Sequence, residues 1–409
     1  MATLCRFCAG PLDAIFADLG MSPLANSYLT AEQGNRMEPF YPLRALVCAQ
    51  CFLVQLEEYE SPDHIFSNYA YFSSYSSSWL EHSERYVTAM VERFGLDEQS
   101  HVVEIASNDG YLLQYFRERG IPVLGIEPAA NVAKVAVEKG LPTLVEFFGV
   151  ETAQSLAAES AADLLIGNNV LAHVPDINDF VGGMKLLLKP GGVITMEFPH
   201  LMRLIDEKQW DTIYHEHFSY LSFSTSRRVF AAHGLRLFDV EELPTHGGSL
   251  RIIGCHDEDL GKPDSDRAHE LLEREDAAGY SVVETYLDYG ERVAADKRSI
   301  LATLVALKDE GKRIVGYGAP AKGNTLLNYC GIGPDFLDYT VDLNPHKQGH
   351  LLPGTHIPIR SPEAIREDQP DVVLILPWNL KDEIIEQLGF IREWGGAFAV
   401  RTPELTLLP

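Results

Sequence analysis

His101-Val-Val-Glu-Ile-Ala-Ser-Asn-Asp-Gly110, continued by Tyr111-Leu-Leu-Gln-Tyr-Phe-Arg-Glu-Arg-Gly120 and Ile121-Pro-Val-Leu-Gly-Ile-Glu-Pro128, is the stretch that decides the architecture. A short apolar run, a turn of small polar residues, an amphipathic stretch and a second apolar run read as strand, turn, helix, strand. The unit then recurs. Residues 129–140 (AANVAKVAVEKG) have helical spacing, 162–170 (ADLLIGNNV) that of a strand and 176–188 (DINDFVGGMKLLL) that of a helix. Residues 188–192 (LKPGG) read as a turn and 193–199 (VITMEFP) as another strand. Strands alternating with helices imply an α/β, doubly wound parallel sheet.

Downstream, residues 262–310 are expected to be helical, with Leu271, Leu272, Ile300, Leu301, Leu304 and Leu307 facing a core. A second alternation follows: strand 312–318 (KRIVGYG), a glycine-rich turn, helix 324–330 (NTLLNYC), and strands 336–342 (FLDYTVD) and 370–378 (PDVVLILPW). This predicts a second, C-terminal Rossmann-like α/β domain. Upstream, Cys5-x-x-Cys8 and Cys48-x-x-Cys51 hold four of the six cysteines. Two such knuckles present four thiolates to one tetrahedral cation, so a structural zinc site with no open coordination position is expected. The lesser reading is a redox dithiol. Cys255 and Cys330 stand alone and are expected to be buried apolar groups. The organisation predicted is a zinc-binding domain over 1–66, a central domain over 67–258 and a C-terminal α/β domain over 259–409.

The 409 residues carry 33 Lys+Arg against 59 Asp+Glu, a formal charge of −26. Such a surface repels phosphate backbones, so nucleic acid is not an expected partner. No run reaches the ~20 apolar residues of a membrane span, and the N-terminal residues lack the pattern of a secretory signal. Cysteine usage fits the reducing cytoplasm.

Sheets of this kind bind ligands at the carboxyl ends of their strands. The candidates there are Glu104, Ala106, Asn108 and Gly110 in the first turn, and Glu127 and Pro128 after the second strand. Asn168 and Asn169 follow a later one. A carboxylate at Glu127 could accept both hydrogen bonds of a ribose diol. The first turn is poor in glycine for a dinucleotide site. The second turn, Gly316-Tyr-Gly318-Ala-Pro320-Ala321-Lys322-Gly-Asn324, matches G-x-G-x-x-A, and Asp342 ends a later strand; read literally this is an NAD site. Pro320 and Lys322 are unusual in one, and a lysine beside a helix N-terminus suits a diphosphate more generally. A tight turn without a ligand is the third possibility.

Candidate reacting groups lie in Asp211-Thr-Ile-Tyr214-His215-Glu216-His217-Phe-Ser-Tyr220. In an extended segment Tyr214 and Glu216 share one side and His215 and His217 the other, a separation that a turn relaxes. Three readings stand: a metal site from His215, Glu216 and His217; structurally satisfied histidines; or an acid/base cluster, the favoured one. His173, the segment Thr245-His246-Gly-Gly-Ser249-Leu-Arg251, and Tyr71 or Tyr75 in the Tyr/Ser-rich stretch 68–79 could also line a cleft.

In order, VEIASNDGYL, GNNVLAHVPD and LKPGG resemble a class I S-adenosylmethionine-dependent methyltransferase domain, although the first turn departs from that class's glycine-rich form. With the cysteine pairs, YFSSYSS, YHEHFSY, THGGSLR, GYGAPAKGNT and DLNPHKQGHLLPGT, the chain resembles the bacterial nucleotide-sugar C-methyltransferases, like those acting on tetronitrose and kijanimicin sugars. The resemblance implies S-adenosyl-L-methionine as cofactor and a structural Zn(2+) at Cys5, Cys8, Cys48 and Cys51. It implies a dTDP-linked 4-keto deoxysugar as substrate, methylated beside the ketone, most simply at C-3′. By motif, His217 would be the base with Tyr214, Glu216 and His173 as neighbours, and Tyr71 or Tyr75 would enter from the first loop. His246, Ser249, Arg251, Gly318, Lys322 and Asn324 would contact substrate. The alternatives are an NAD-dependent nucleotide-sugar oxidoreductase and a non-catalytic nucleotide-sugar binding protein.

Overall fold

A computed structural model describes residues 3–61, 72–401 and 403–409; Tyr71 lies outside these. Three sheets organise the described residues. The first has the order β1 (Ala14–Ser22), β2 (Tyr41–Val47), β3 (Val54–Leu56) and β9 (Ser219–Tyr220), antiparallel throughout. Its last strand comes from the segment just after His217, so the N-terminal lobe is completed by the middle of the chain.

The second sheet carries the deciding stretch. Its order is β10 (Leu235–Leu243), β11 (Ser249–His256), β8 (Leu188–Pro199), β7 (Ala162–Asn168), β4 (Val102–Ile105), β5 (Val123–Ile126) and β6 (Thr143–Leu144). The strands from β8 to β6 are parallel, and β11 runs antiparallel to both β8 and β10. β4 is buried at every position, as a central strand covered on both faces must be. The third sheet, β14 (Ile359–Arg360), β13 (Thr340–Val341), β12 (Ile314–Tyr317), β15 (Val372–Ile375), β16 (Ala397–Arg401) and β17 (Leu405–Leu408), is parallel except at β17. The α/β class with a methyltransferase-type sheet, a cysteine-bearing N-terminal lobe and a C-terminal Rossmann-like domain is the observed architecture.

Two expectations are corrected. Residues 188–192 do not form a free turn; they begin the long strand β8, whose pairing with β7 shifts register between Ala162 and Leu164. Residues 262–310 are not one helix but three, Asp266–Ala277, Glu284–Leu287 and Tyr289–Asp309. The break falls at Gly279, whose φ of +83° ends the first helix in the left-handed region that glycine adopts most cheaply. Cys255 and Cys330 are buried.

The lobes share cores. Phe16 of β1 stacks on Tyr289 of the C-terminal half with ring centroids 4.5 Å apart, in a cluster that also holds Trp210, Leu304 and Ile314. Cys5, Cys48 and Cys51 instead join the core of the central sheet. At the junction sits a buried charge cluster. Arg401, at the end of β16, donates to Asp211 Oδ1 (2.7 Å) and Asp296 Oδ2 (3.0 Å) and to the Lys208 carbonyl. Trp210 and Trp378 donate indole N–H groups to Asp296 and Asp211 at 2.7 and 2.8 Å. Removing one member of a buried pair leaves an uncompensated charge. Arg401→Met is expected to lower unfolding free energy by about 3–5 kcal/mol, measured by urea denaturation against the unmodified protein.

Candidate active site

The cysteine pairs fold alike. Ala9 and Phe52, each directly after the second cysteine of a pair, have φ of +56° and +63°. Their N–H groups close tight turns onto the Cys5 and Cys48 carbonyls, both at 2.9 Å. The four sulfurs lie within 4.8 Å of one another, with Cys5–Cys51 and Cys8–Cys48 separations of 3.5 Å. Four ligands about 2.3 Å from a tetrahedral zinc would stand roughly 3.8 Å apart, so the cluster fits that ion. Gln55 Nε2 donates to Cys5 Sγ at 3.2 Å, an outer contact suited to a thiolate.

The carboxyl end of the central sheet is built from strained backbone. Ala106, Asn108 and Gly110 have φ of +56°, +51° and +77°. The turn therefore makes the left-handed excursions that glycines would make easily, using alanine and asparagine at two of the three positions, and such strain gathers at ligand sites. Asn169, after β7, is left-handed as well. Glu127 accepts from the Asn108 and Ala129 N–H groups at 3.0 and 2.8 Å, which pins the second strand's end to the first turn. Glu104 is fully buried with Tyr111 as its neighbouring donor, and the buried Oδ1 atoms of Asn168 and Asn169 have no hydrogen-bond partner. Burial, then the charges of Glu127 and Asp109, push the Glu104 carboxyl well above its ordinary range, against a lowering from Tyr111. Unsatisfied buried acceptors at the strand ends fit a cationic, hydrogen-bonding ligand there, as S-adenosylmethionine is.

The segment after β8 is a turn, closed by His217 N–H to the Tyr214 carbonyl at 2.9 Å. That turn sends the side chains of Tyr214–His217 in different directions. His215 leaves toward Tyr41 and Tyr59 and meets the Pro42 carbonyl at 3.1 Å, a satisfied structural histidine. Glu216 accepts from Asn26 Nδ2 at 2.7 Å. His217 turns to Tyr214, Nε2 to Oη 2.8 Å, while its Nδ1 meets the Thr212 carbonyl at 2.9 Å. The three side chains diverge, so the metal site from His215, Glu216 and His217 is corrected; among the described residues the cysteine cluster alone has metal-binding geometry.

A carbonyl only accepts, so His217 Nδ1 carries the proton and Nε2 presents the lone pair, accepting from Tyr214. The ring of His173 lies 4.7 Å from that of His217, edge-on. Burial first, then the field of His173, hold His217 well below the usual imidazole range; burial takes His173 to about 4. Burial raises Glu216 to about 7, against the hydrogen bond from Asn26.

Trp79, His82 and Glu197, which sequence reasoning missed as site residues, complete the surroundings. Asn169 Nδ2 donates to His246 Nε2 at 3.1 Å, and Trp79 lies against both His82 and His246. Glu197, at the end of β8, takes contacts from His82 (3.0 Å), Arg251 (2.8 Å) and Thr245 (2.8 Å). Burial would raise its carboxyl, but these partners overcome that and hold it at about 2. Arg251 thus pairs with Glu197 and with Glu241 (2.9 Å), and Ser249 Oγ donates to the Thr245 carbonyl (3.0 Å). His246 stays with the reacting cluster. Tyr75 is 70 % exposed, packs on Phe72 and stands outside it. The neighbouring Ser73 and Ser74 N–H groups donate to Asn108 Oδ1 (3.0 Å) and Asp109 Oδ2 (3.3 Å), laying this loop over the first turn.

The second glycine-rich turn is not a dinucleotide cradle. Gly318 N–H donates to the Val341 carbonyl (2.6 Å), Ala319 N–H to Asp342 Oδ2 (2.8 Å), and Pro320 has no N–H. Asp342, the residue a ribose would need, instead closes the turn. Asn324 Nδ2 donates to the Ala25 carbonyl at 2.6 Å, and Lys322 Nζ to Asn379 Oδ1 at 2.8 Å.

This fold and strand-end site define an S-adenosylmethionine-dependent methyltransferase. Residues 79–240 match a family described as "Methyltransferase domain", 5–66 one described as "Putative zinc binding domain", and 244–403 one described as "C-methyltransferase C-terminal domain". The chain is 37% identical to C-methyltransferase NovU of Streptomyces niveus over 98% of its own length and 95% of that protein. It is 27% identical to a ubiquinone biosynthesis O-methyltransferase of Rhodopseudomonas palustris over 96 residues, 23% of this chain and 38% of that one. Among solved structures, the PH0226 protein of Pyrococcus horikoshii aligns with a TM-score of 0.37 and 13% identity, covering 48% and 99% of the two chains. The chain belongs to the bacterial sugar C-methyltransferase family and is an S-adenosylmethionine-dependent C-methyltransferase. Among the described residues no helix is long and apolar enough to cross a membrane.

Two outcomes are expected. Metal analysis of the purified protein should find about one zinc per chain, and stripping it with a strong chelator should lower the melting temperature. Glu216 has a folded pKa of about 7 against roughly 4.3 when unfolded. The folded state therefore keeps a proton that the unfolded chain releases, and stability falls as pH rises from ~4 to ~7, then levels. Glu216→Gln should remove this dependence, so its stability relative to the unmodified protein should improve between pH 5 and 7 in urea titrations.

Proposed function

We propose that the enzyme methylates the carbon beside the ketone of a dTDP-linked 4-keto deoxysugar, at C-3′, by forming an enolate. A C–H next to a carbonyl is weakly acidic, so the site needs a neutral base in a dry pocket and a partner for the oxygen that gains charge. The observation that carries the reading is His217. Its Nδ1–H is held by the Thr212 carbonyl and its Nε2 lone pair is turned to a hydroxyl that substrate could displace. Tyr214 orients that ring, and burial keeps it unprotonated at neutral pH. His173 and His246 extend the same polar wall, and Glu216 holds the turn to the N-terminal lobe through Asn26. Bound S-adenosylmethionine supplies the sulfonium methyl as electrophile. The nucleotide part of the substrate is assigned to the C-terminal domain, outside the closed turn at Gly318. The division into 1–66, 67–258 and 259–409 is retained as the functional one, with the reacting groups at the junction. Work in the cytoplasm and a place in antibiotic deoxysugar synthesis belong to the same reading.

A panel of thymidine-linked 4-keto sugars incubated with S-adenosylmethionine should yield, for one of them, a product heavier by one CH₂ in mass spectrometry. His217→Asn should abolish that turnover yet leave S-adenosylmethionine affinity within a few-fold by calorimetry. Near-normal turnover in that variant excludes His217 as the base.

A further inference from the structure

Lys322 is the second residue of the helix Ala321–Cys330. A cation in a first helical turn sits at the positive end of the helix dipole, the unfavourable one. Its partners are neutral: the Asn379 side-chain carbonyl at 2.8 Å, and the face of Trp378 with its centre 4.3 Å away. The carboxylate whose field it feels most, Asp211, is already taken by Arg401 and by the Trp378 indole. Trp378 is in turn wedged against Gly247, where even an added Cβ would come within 2.4 Å of the ring. This places the ammonium beside the turn that carries His246 and the segment that carries His217. Its charge depresses the pKa of both imidazoles. A half-buried cation with neutral partners, on the wrong end of a dipole and next to a neutral base, is arranged for negative charge that arrives from outside the protein.

We propose that Lys322 is a catalytic residue that holds the enolate oxygen, a role resting on the C-methylation reading above. His217 Nε2 takes the proton from C-3′. The C–H pair becomes the C-3′=C-4′ double bond, and the carbonyl pair moves to O-4′, where the ammonium meets it. When C-3′ takes the methyl group from S-adenosylmethionine, which leaves as S-adenosylhomocysteine, O-4′ returns the pair and the ketone reforms. His217 then gives its proton to solvent. The neighbouring turn points to this role rather than to a diphosphate site. Its Gly318 and Ala319 amides are spent on Val341 and Asp342, and the nearby Lys347 is spent on the Ala319 carbonyl (2.9 Å) and on Asp342 (3.6 Å).

The half-reaction isolates the claim. A dTDP-linked 4-keto sugar is incubated in D₂O with enzyme and S-adenosylhomocysteine, and deuterium gained at C-3′ is followed by mass spectrometry. Lys322→Met should slow exchange by about 10²-fold or more, the usual cost of losing one oxyanion donor. Affinities for dTDP and S-adenosylhomocysteine should stay within about twofold, which also reports an intact fold. Lys322→Arg should restore part of the rate. Burial lowers Lys322 to about 8, Asp211 raises it again and Arg401 lowers it further; His217, His246 and Asp211 are the other titratable groups facing it. Exchange by the unmodified enzyme should therefore fall above pH ~8 as the ammonium is lost, and that limb should move upward in the arginine variant. Unchanged exchange in Lys322→Met overturns the proposal, and so does loss of dTDP binding in step with exchange, which would make Lys322 a diphosphate ligand. No exchange by the unmodified enzyme with any sugar of the panel overturns the C-methylation reading itself, and the proposal with it.

Discussion

The Asp211–Arg401 pair is the constraint on which the site depends. Asp211 lies three residues before Tyr214 and is fully buried, so its charge has to be matched inside the protein. The match comes from the last residue of a strand in another sheet. Because the same carboxylate accepts the Trp378 indole N–H, one ion pair fixes both the start of the Tyr214–His217 turn and the wall that carries Lys322. The histidines of the cluster come from the central part of the chain, and docking of the C-terminal sheet against it brings Lys322 to them.

Burial sets the chemistry of what is brought together. His173, His217 and His246 are all depressed, chiefly by desolvation, and so are neutral over the physiological range. A neutral imidazole is available as a base without first losing a proton, but a depressed pKa also makes it a weaker one. Abstraction from carbon by such a base is practical only if the charge it creates is stabilised at once. The same low dielectric that weakens the base strengthens a nearby cation's hold on that charge. The two halves of the acid/base problem are therefore met by one environment.

How much was legible in the sequence follows from the range of each interaction. The cysteine pairs and the alternation around Val102–Ile126 are local patterns, and they gave the zinc lobe and the sheet. The first turn looked like a departure because it lacks glycines, yet Ala106 and Asn108 make the left-handed excursions anyway; residue type under-reports a conformation that tertiary contacts impose. The Tyr214–His217 stretch exposed its residues but not its turn, and only the turn separates His215 from His217. The contacts of Asp211 with Arg401 and Trp378, and of Glu216 with Asn26, span 190, 167 and 190 residues. Nothing in the local pattern of Arg401 or Asn26 marks them. Glu197 was hidden for a different reason: a carboxylate inside an apolar strand end announces itself only once His82 and Arg251 are seen to compensate it.

The N-terminal lobe has the same logic. Its metal cluster is far in kind from the reaction, since four thiolates leave a zinc no open position. Its contribution is mechanical. Asn26 holds Glu216, Tyr28 donates to the Ala319 carbonyl of the second glycine-rich turn at 2.5 Å, and Leu29 bridges to Leu351. One short segment after β1 thus touches the reacting turn and the C-terminal turn together. The cysteines that would hold zinc anchor the lobe in the core of the central sheet, while β1 packs into the C-terminal core. A lobe held at both ends ties the reacting turn and the C-terminal turn to one another.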